Sequence, residues 1–301
     1  MKNCILLLAS LFIAFSGSAQ RYGVPNFKIV SDFTDKAFVK NIDGIAIDKR
    51  GYLYVPNFQQ EGTIGIVDYF GKVSSFVTLP EGGVASGLTV DTIANTLYIA
   101  DYIGKNIYKC DLNTKVLTLF VHNNSFSSLK DILLTSNGNL YVTDQDNTIG
   151  TGSIWLVKPD GQVTMLESSL GLTKGIAINN QQDILYVTEE IQRSEQKLRN
   201  LLSFEIDSKG FLSNKTRFST FFDFSLAGIQ VDKFGNIYIS RSEKGVITIL
   251  NPEGKVIREI TLLGKNPSAI TFGGIDKKTV FVTVNDSLTV QSFRMPLLGQ
   301  K

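Results

Sequence analysis

The sequence predicts an all-β, six-bladed β-propeller with four-stranded blades, and three observations carry that expectation. A phrase of small residue, Gly, hydrophobic, any residue, hydrophobic and Asp, then a turn, then a hydrophobic–aromatic–hydrophobic run recurs six times in loose form. Its aromatic anchors are Tyr54, Tyr98, Tyr141, Tyr186, Tyr238 and Phe281, spaced by 44, 43, 45, 52 and 43 residues. That is the period of four short strands per blade. No long stretch shows sustained helical periodicity.

The elements follow in order. The six copies are DGIAIDKRGYLYV from Asp43, SGLTVDTIANTLYIAD from Ser86, KDILLTSNGNLYVTD from Lys130, KGIAINNQQDILYVTE from Lys174, AGIQVDKFGNIYIS from Ala227 and SAITFGGIDKKTVFVT from Ser268. Each reads as two alternating strands joined by a tight turn, and Asn137-Gly138 is a strong hairpin signal. Third strands follow in TIGIVDY, NIYKCDL, SIWLVKP, LLSFEID, VITILNP and LTVQSFR. More exposed fourth strands end most units, after Gly turns such as KPDGQ and NPEGK. The sixth unit stops after its third strand, near Arg294. The segment FKIVSDF (27–33) is expected to supply its fourth, so that the N-terminal strand joins the C-terminal blade and closes the ring. Residues 20–301 are then one domain. The long interval between Tyr186 and Tyr238 places an insertion in EEIQRSEQKLRNLL (189–202), read as an extended hairpin or a short helix. A solvated surface insertion and a lid or partner site both stay open for it.

Residues 1–19 have the pattern of a secretory signal peptide: Lys2, an apolar run over 5–15, and Gly17-Ser18-Ala19 before a cut that leaves Gln20 first. The apolar run is short for a bilayer, and no later stretch approaches about 20 apolar residues. A secreted or periplasmic protein with no membrane span after cleavage is expected, and a monomer. Thirty basic and 28 acidic residues give a formal charge of +2, interspersed with no basic stripe, which argues against a nucleic-acid partner. Cys4 leaves with the signal, so Cys110 has no partner for an internal disulfide and reads as a core residue. His122 is the sole histidine, and no metal-type Cys/His motif accompanies it. Asp48, Asp91 and Asp232 recur after the hydrophobic runs, as turn-stabilising Asp does. Trp155 and the tyrosine anchors read as core packing.

The phrases KNPSAITFGGIDKKTVFVTV, GFLSNKTRFSTFFDFSLAGIQVDKFGNIYIS and GVITILNPEGKVIREI resemble the SMP-30/gluconolactonase/regucalcin-like family of six-bladed propellers. The resemblance runs over nearly all of the mature chain. It implies one divalent ion, usually calcium, at the tunnel mouth, held by an acid in the first blade, Asn in the third and fourth, and Asp in the fifth. A hard cation suits such oxygens. It would polarise a lactone carbonyl or activate water while an acid assists proton transfer.

Carried over position by position, Asp43 matches the first-blade acid. Lys130 stands at the third-blade Asn and is followed by Asp131, which matches the second member of the family's Asn-Asp pair. Lys174 stands at the fourth-blade Asn, and Ala227 at the fifth-blade Asp. Ser128 stands where some members place a substrate-contacting Arg. Three of four implied ligands are therefore absent, and an ammonium repels calcium instead of coordinating it. No metal and no other cofactor is expected.

The candidate site is then Asp43 and Asp131 as catalytic acids, with Ser86, Ser128, Lys130 and Lys174 as ligand-binding residues. Two readings of the lysines stay open. They bind an anion in place of the ion, or they pair with Asp43 or Asp131 and plug the tunnel. A nucleophilic lysine ranks behind both. The partner expected is a small oxygen-rich or anionic molecule such as a sugar acid or lactone. A lactonase-like hydrolase and a non-catalytic binding propeller both remain, because propellers host many functions.

Overall fold

The computed structural model describes residues 31–80, 82–193 and 196–296. The signal-peptide expectation and most of FKIVSDF lie outside them. The described residues form 24 strands and no helix, arranged in six four-stranded antiparallel sheets. The chain opens with β1 (Ser31–Asp32). Blade one is β2 (Ala46–Ile47), β3 (Leu53–Pro56), β4 (Thr63–Val67) and β5 (Val73–Thr78). Blade two is β6 (Ala85–Asp91), β7 (Thr96–Asp101), β8 (Asn106–Asp111) and β9 (Leu117–His122). Blade three is β10 (Leu129–Leu134), β11 (Leu140–Asp146), β12 (Thr151–Val157) and β13 (Val163–Leu170). Blade four is β14 (Leu172–Ile178), β15 (Ile184–Arg193), β16 (Gln196–Ile206) and β17 (Leu212–Phe221). Blade five is β18 (Leu226–Val231), β19 (Ile237–Arg241), β20 (Val246–Leu250) and β21 (Val256–Thr261). Blade six is β22 (Pro267–Gly273), β23 (Thr279–Val284) and β24 (Thr289–Arg294).

Blade six takes its outer strand from β1, which pairs with β24 through Ser31↔Ser292 and Asp32↔Gln291. Thr34 extends the join by donating its N–H to Val290 O at 3.3 Å and accepting the Val290 N–H at 3.1 Å. This removes the free edge that an open ring would expose. The insertion of blade four is an extended hairpin: β15 and β16 stay in register from Ile184↔Glu205 to Arg193↔Gln196.

Middle strands such as β19 and β20 are buried at every residue, whereas the outer strand β21 alternates with solvent. The middle strands therefore read as continuous hydrophobic runs and the outer ones as alternating ones. The core lies between blades. Tyr54 and Ile64 of blade one pack with Leu88, Leu97, Ile99 and Tyr108 of blade two. Aromatic anchors meet partners edge to face, as in Tyr54–Phe76 and Tyr238–Phe272, with centroids 4.9 Å apart in both pairs. Each such buried side chain contributes roughly 1.5–3 kcal/mol.

The recurring Asp residues close turns. Asp48 Oδ1 accepts the N–H groups of Arg50 and Tyr52, Asp91 Oδ1 those of Ile93 and Ala94, and Asp232 Oδ1 those of Phe234 and Asn236. Two anchors tie into them, Tyr54 Oη donating to Asp48 Oδ2 at 3.2 Å and Tyr238 Oη to Asp232 Oδ2 at 3.4 Å. Cys110 is fully buried, and burial pushes its thiol up to about 11, so it is inert. His122 is exposed and bonded to Asn106 and Asn124.

Candidate functional site

Five of the six inner strands slip register near their start, and in blade one Asp43 precedes the regularly paired β2. On β10 the pairs Leu129↔Asp144 and Ile132↔Val142 leave three steps opposite two, with Lys130 and Asp131 in the gap. The same irregularity falls between Ala85 and Leu88, Thr173 and Ile176, Leu226 and Ile229, and Pro267 and Ile270. Such bulges turn side chains out of the sheet plane. Second-strand threonines take up the backbone groups released: Thr143 Oγ1 accepts the Asp131 N–H at 3.0 Å and donates to Lys174 O at 2.5 Å. Thr188 does the same between Gly175 N–H and Ala227 O.

The second position of the repeat is where neighbouring blades touch. A Cβ added to Gly87 would sit 2.7 Å from Asp131 Cα, and one on Gly175 would sit 2.3 Å from Ala227 O. Blade three carries Asp131 at this position, and its carboxylate ties the joint. Oδ1 accepts the Ile132 N–H at 2.9 Å, and Oδ2 accepts the N–H of Ile176 in the next blade at 3.2 Å.

The first positions gather around a bowl of about 590 Å³ at the tunnel mouth, above a narrower cavity of about 160 Å³ between the inner strands. Asp43, Lys130, Asp131, Lys174, Ala227 and Ser268 line the bowl, and Asp131 also lines the cavity beneath. Two residues of the sequence-derived site stand apart. Ser86 is 1% exposed and donates its hydroxyl to Leu129 O at 2.8 Å, so it stitches blade two to blade three behind the wall. Ser128 is half-buried on the approach to β10, its N–H held by Asp144 at 2.6 Å, and is not part of the lining.

The carboxylates of the bowl are all engaged. Asp43 Oδ1 accepts from Ser268 Oγ at 2.8 Å and Asn285 Nδ2 at 2.9 Å. Asp286 accepts the Lys265 and Asn266 N–H groups. Glu190 meets Lys197 at 3.1 Å, Arg199 at 3.4 Å and the Ser225 hydroxyl at 2.9 Å. Burial alone would raise the Glu190 carboxyl, but its bonds to Lys197 and Ser225 bring it below the usual range. Asp131 behaves oppositely. Burial pushes its carboxyl up to about 7 against the pull of the Ile176 and Ile132 amides, and the Asp43 charge adds to the rise.

The two lysines are different. Among the described residues, neither Lys130 nor Lys174 makes an ion pair or a side-chain hydrogen bond. The Lys130 ammonium lies 5.3 Å from the centre of the Tyr102 ring. Burial lowers the Lys130 ammonium from its ordinary value and the Lys174 charge lowers it further, while Asp43 opposes both. The plug, with a lysine paired to Asp43 or Asp131, is not the arrangement present.

Sequence reasoning missed Gln145, Glu190, Ser242 and Asn285, which also line the bowl. Each lies four residues after the aromatic anchor of its blade, Gln145 and Glu190 towards the end of the second strand and Ser242 and Asn285 on the loop that follows it. That fixed offset is the signal that would have found them.

Comparison with known proteins agrees with this architecture. The family described as SMP-30/Gluconolactonase/LRE-like region matches residues 85–286. The chain belongs to that family. It is 24% identical over 214 residues to a gluconolactonase of Zymomonas mobilis, covering 64% of this chain and 58% of that enzyme. It is 21% identical over 290 residues to the diisopropyl-fluorophosphatase of Loligo vulgaris, covering 87% and 91%. A pentonolactonase of Haloferax volcanii matches at 22% over 156 residues, covering 51% and 52%, so the chain spans little more than half of both lactonases. A calcium-binding regucalcin of Agrobacterium tumefaciens superposes with a TM-score of 0.74 at 19% identity, covering 91% of this chain and 96% of that one. A gluconolactonase of Xanthomonas campestris gives 0.75 at 17%, covering 90% of each.

The residues present do not fit the family's ion. Asp43 spends an oxygen on Ser268 and Asn285, ammonium groups stand at two of the implied ligand positions, and Ala227 has no donor.

Proposed function

We propose that this is an exported member of the family whose bowl binds a small, oxygen-rich anion, such as a sugar acid, or a lactone, without calcium. The observation that carries the reading is the contrast within the bowl. Every carboxylate has donors of its own, whereas Lys130 and Lys174 face the same cavity without an ion pair or a side-chain hydrogen bond among the described residues. Two ammoniums without an ion pair, between low-dielectric walls, favour negative charge, and partial burial strengthens that field.

A catalytic extension is favoured by Asp131. A carboxyl near 7, on the floor of the same bowl, is suited to take a proton at neutral pH. In lactone hydrolysis, water would add to the carbonyl carbon while Asp131 takes its proton. Lys130 and Lys174 would hold the oxyanion. Collapse breaks the acyl C–O bond, and the proton passes to the departing ring oxygen, giving a hydroxy acid. The named lactonases among the relatives support this chemistry class. A binding propeller that has set catalysis aside is the second reading, supported by the substitutions at Lys130, Lys174 and Ala227.

Calorimetry with gluconate, on the wild type and on the double variant Lys130→Asn/Lys174→Asn, tests the site. A loss of tenfold or more in affinity is expected, and unchanged binding overturns the reading. Hydrolysis of gluconolactone and pentonolactones, with and without calcium, separates enzyme from binder. Sequencing the N-terminus of protein recovered from outside the cytoplasm tests export. It should begin at Gln20, and a retained Met1 refutes that part.

A further inference from the structure

Gln145 lines the bowl beside Asn147, yet its side chain is almost wholly enclosed, at 5% exposure. Its position follows from β11. The strand continues two residues past Asp144, whose buried carboxylate is fixed by the N–H groups of Ser127 and Ser128 and by Trp155 Nε1 at 3.3 Å. Gln145 therefore stands on a rigid base, with its own backbone N–H given to Ser128 O at 3.1 Å.

Its carboxamide is half satisfied. Nε2 donates to Asn147 Oδ1 at 2.9 Å, while Oε1 has no hydrogen-bond partner. Buried polar atoms in folded proteins almost always have a partner, and leaving one without is costly. An acceptor left bare in a cavity wall calls for a donor that the chain itself does not supply. The terminal torsion of Gln is broad, so a small rotation presents Oε1 to the bowl without rebuilding the strand.

The chemistry of the missing donor is constrained by its neighbours. A cationic donor would be repelled by Lys130 and Lys174, and an ionised carboxylate has no hydrogen to give. A neutral hydroxyl satisfies both conditions. We infer that Gln145 is a specificity residue that accepts a hydrogen bond from a ligand hydroxyl while Lys130 and Lys174 hold the same ligand's acid group. This rests on the anion reading above and adds what that reading lacks, a means of telling a hydroxylated acid from a bare one. Sites built to hydrogen-bond a substrate hydroxyl reject analogues that lack it far more strongly than apolar pockets reject a size change.

The test is calorimetry with gluconate and hexanoate, acids of equal chain length that differ in hydroxyls. The wild type should bind gluconate at least tenfold more tightly than hexanoate. Gln145→Met, close in volume, should bring the two within about twofold by weakening gluconate and leaving hexanoate unchanged. The double lysine variant should lose both acids alike, so failure of the anion reading shows there and failure of the present one shows at Gln145. An unchanged gluconate preference in Gln145→Met overturns the inference. Should that variant not fold, the side-chain amide resonance of Gln145 in the wild type decides. It should shift with gluconate and not with hexanoate, and equal shifts, or none, refute the assignment.

Discussion

Replacing Asp131 by Asn should flatten the dependence of stability on pH. The folded carboxyl holds its proton up to about 7, against 3.8 ordinarily. Between those values the folded state binds more protons than the unfolded one, so stability falls as pH rises through the window and levels off above it. At about 1.4 kcal/mol per pH unit the ceiling on the loss is about 4 kcal/mol. Solvent reaching the floor from the bowl screens part of it, leaving roughly 2–4 kcal/mol. The carboxamide keeps one acceptor for the N–H of Ile132 or Ile176 and loses the other, much as the protonated acid does. Wild type and variant should therefore have similar stability at pH 4–5, and the variant should be the more stable at pH 8. Urea unfolding in half-unit steps from pH 4 to 8.5 measures this, and the difference between the two proteins cancels other titrating groups. Parallel profiles would show that Asp131 ionises as an ordinary carboxylate and would remove the physical basis for treating it as a base.

The other predictions concern closure, packing and metal. A chain beginning at Asp35 loses β1 and the bonds of Thr34 to Val290, so its single melting transition should fall by several degrees, and an unaltered transition refutes closure by this segment. Gly87→Ala forces a Cβ to 2.7 Å from Asp131 Cα, which is backbone and cannot rotate away. A destabilisation of about 1–3 kcal/mol is expected by denaturant unfolding, and a neutral result would mean the blades are not in that contact. Chelator should leave the melting temperature unchanged, because a ligand specific to the native state would otherwise raise it, and a drop reversed by calcium contradicts the metal-free reading. Lys130→Asn/Lys174→Asn with Ala227→Asp should gain calcium affinity by calorimetry beyond that of the double variant, and no gain would mean that Asp43 stays locked by Ser268 and Asn285.

The fold was legible because its causes are local and repeated. A tyrosine every 43 to 52 residues, with a turn Asp six residues before Tyr54 and Tyr238, encodes a buried anchor tied to its own hairpin. Closure was legible from a missing strand. The hairpin and helix readings of residues 189–202 were not separable, since the charged segment favours neither, and pairing across Arg193↔Gln196 decided it. The site was half legible. Counting from the repeat put Asp43, Lys130 and Lys174 in one bowl, but it treated Ser86 as equivalent to them. A serine hydroxyl is short enough to bond the adjoining strand at Leu129 O, whereas a lysine at the same step must extend into the cavity.

Repetition also explains how the bowl can change its chemistry without changing its walls. Two sets of side chains line it, one from the start of the inner strands and one from the position four residues past the anchors of blades three to six. The inner-strand backbone of blades three to five is fixed by Thr143, Thr188 and Asp131, which bond main-chain atoms there whatever the first-set side chains at Lys130, Lys174 and Ala227 are. A substitution such as Lys for an oxygen ligand therefore alters charge at the mouth with little effect on blade geometry. In this chain the first set presents two ammoniums, and the second presents Gln145, Glu190, Ser242 and Asn285. Under the proposed function the first set attracts an acid group and Gln145 of the second distinguishes what is attached to it, so selectivity would reside outside the inner strands.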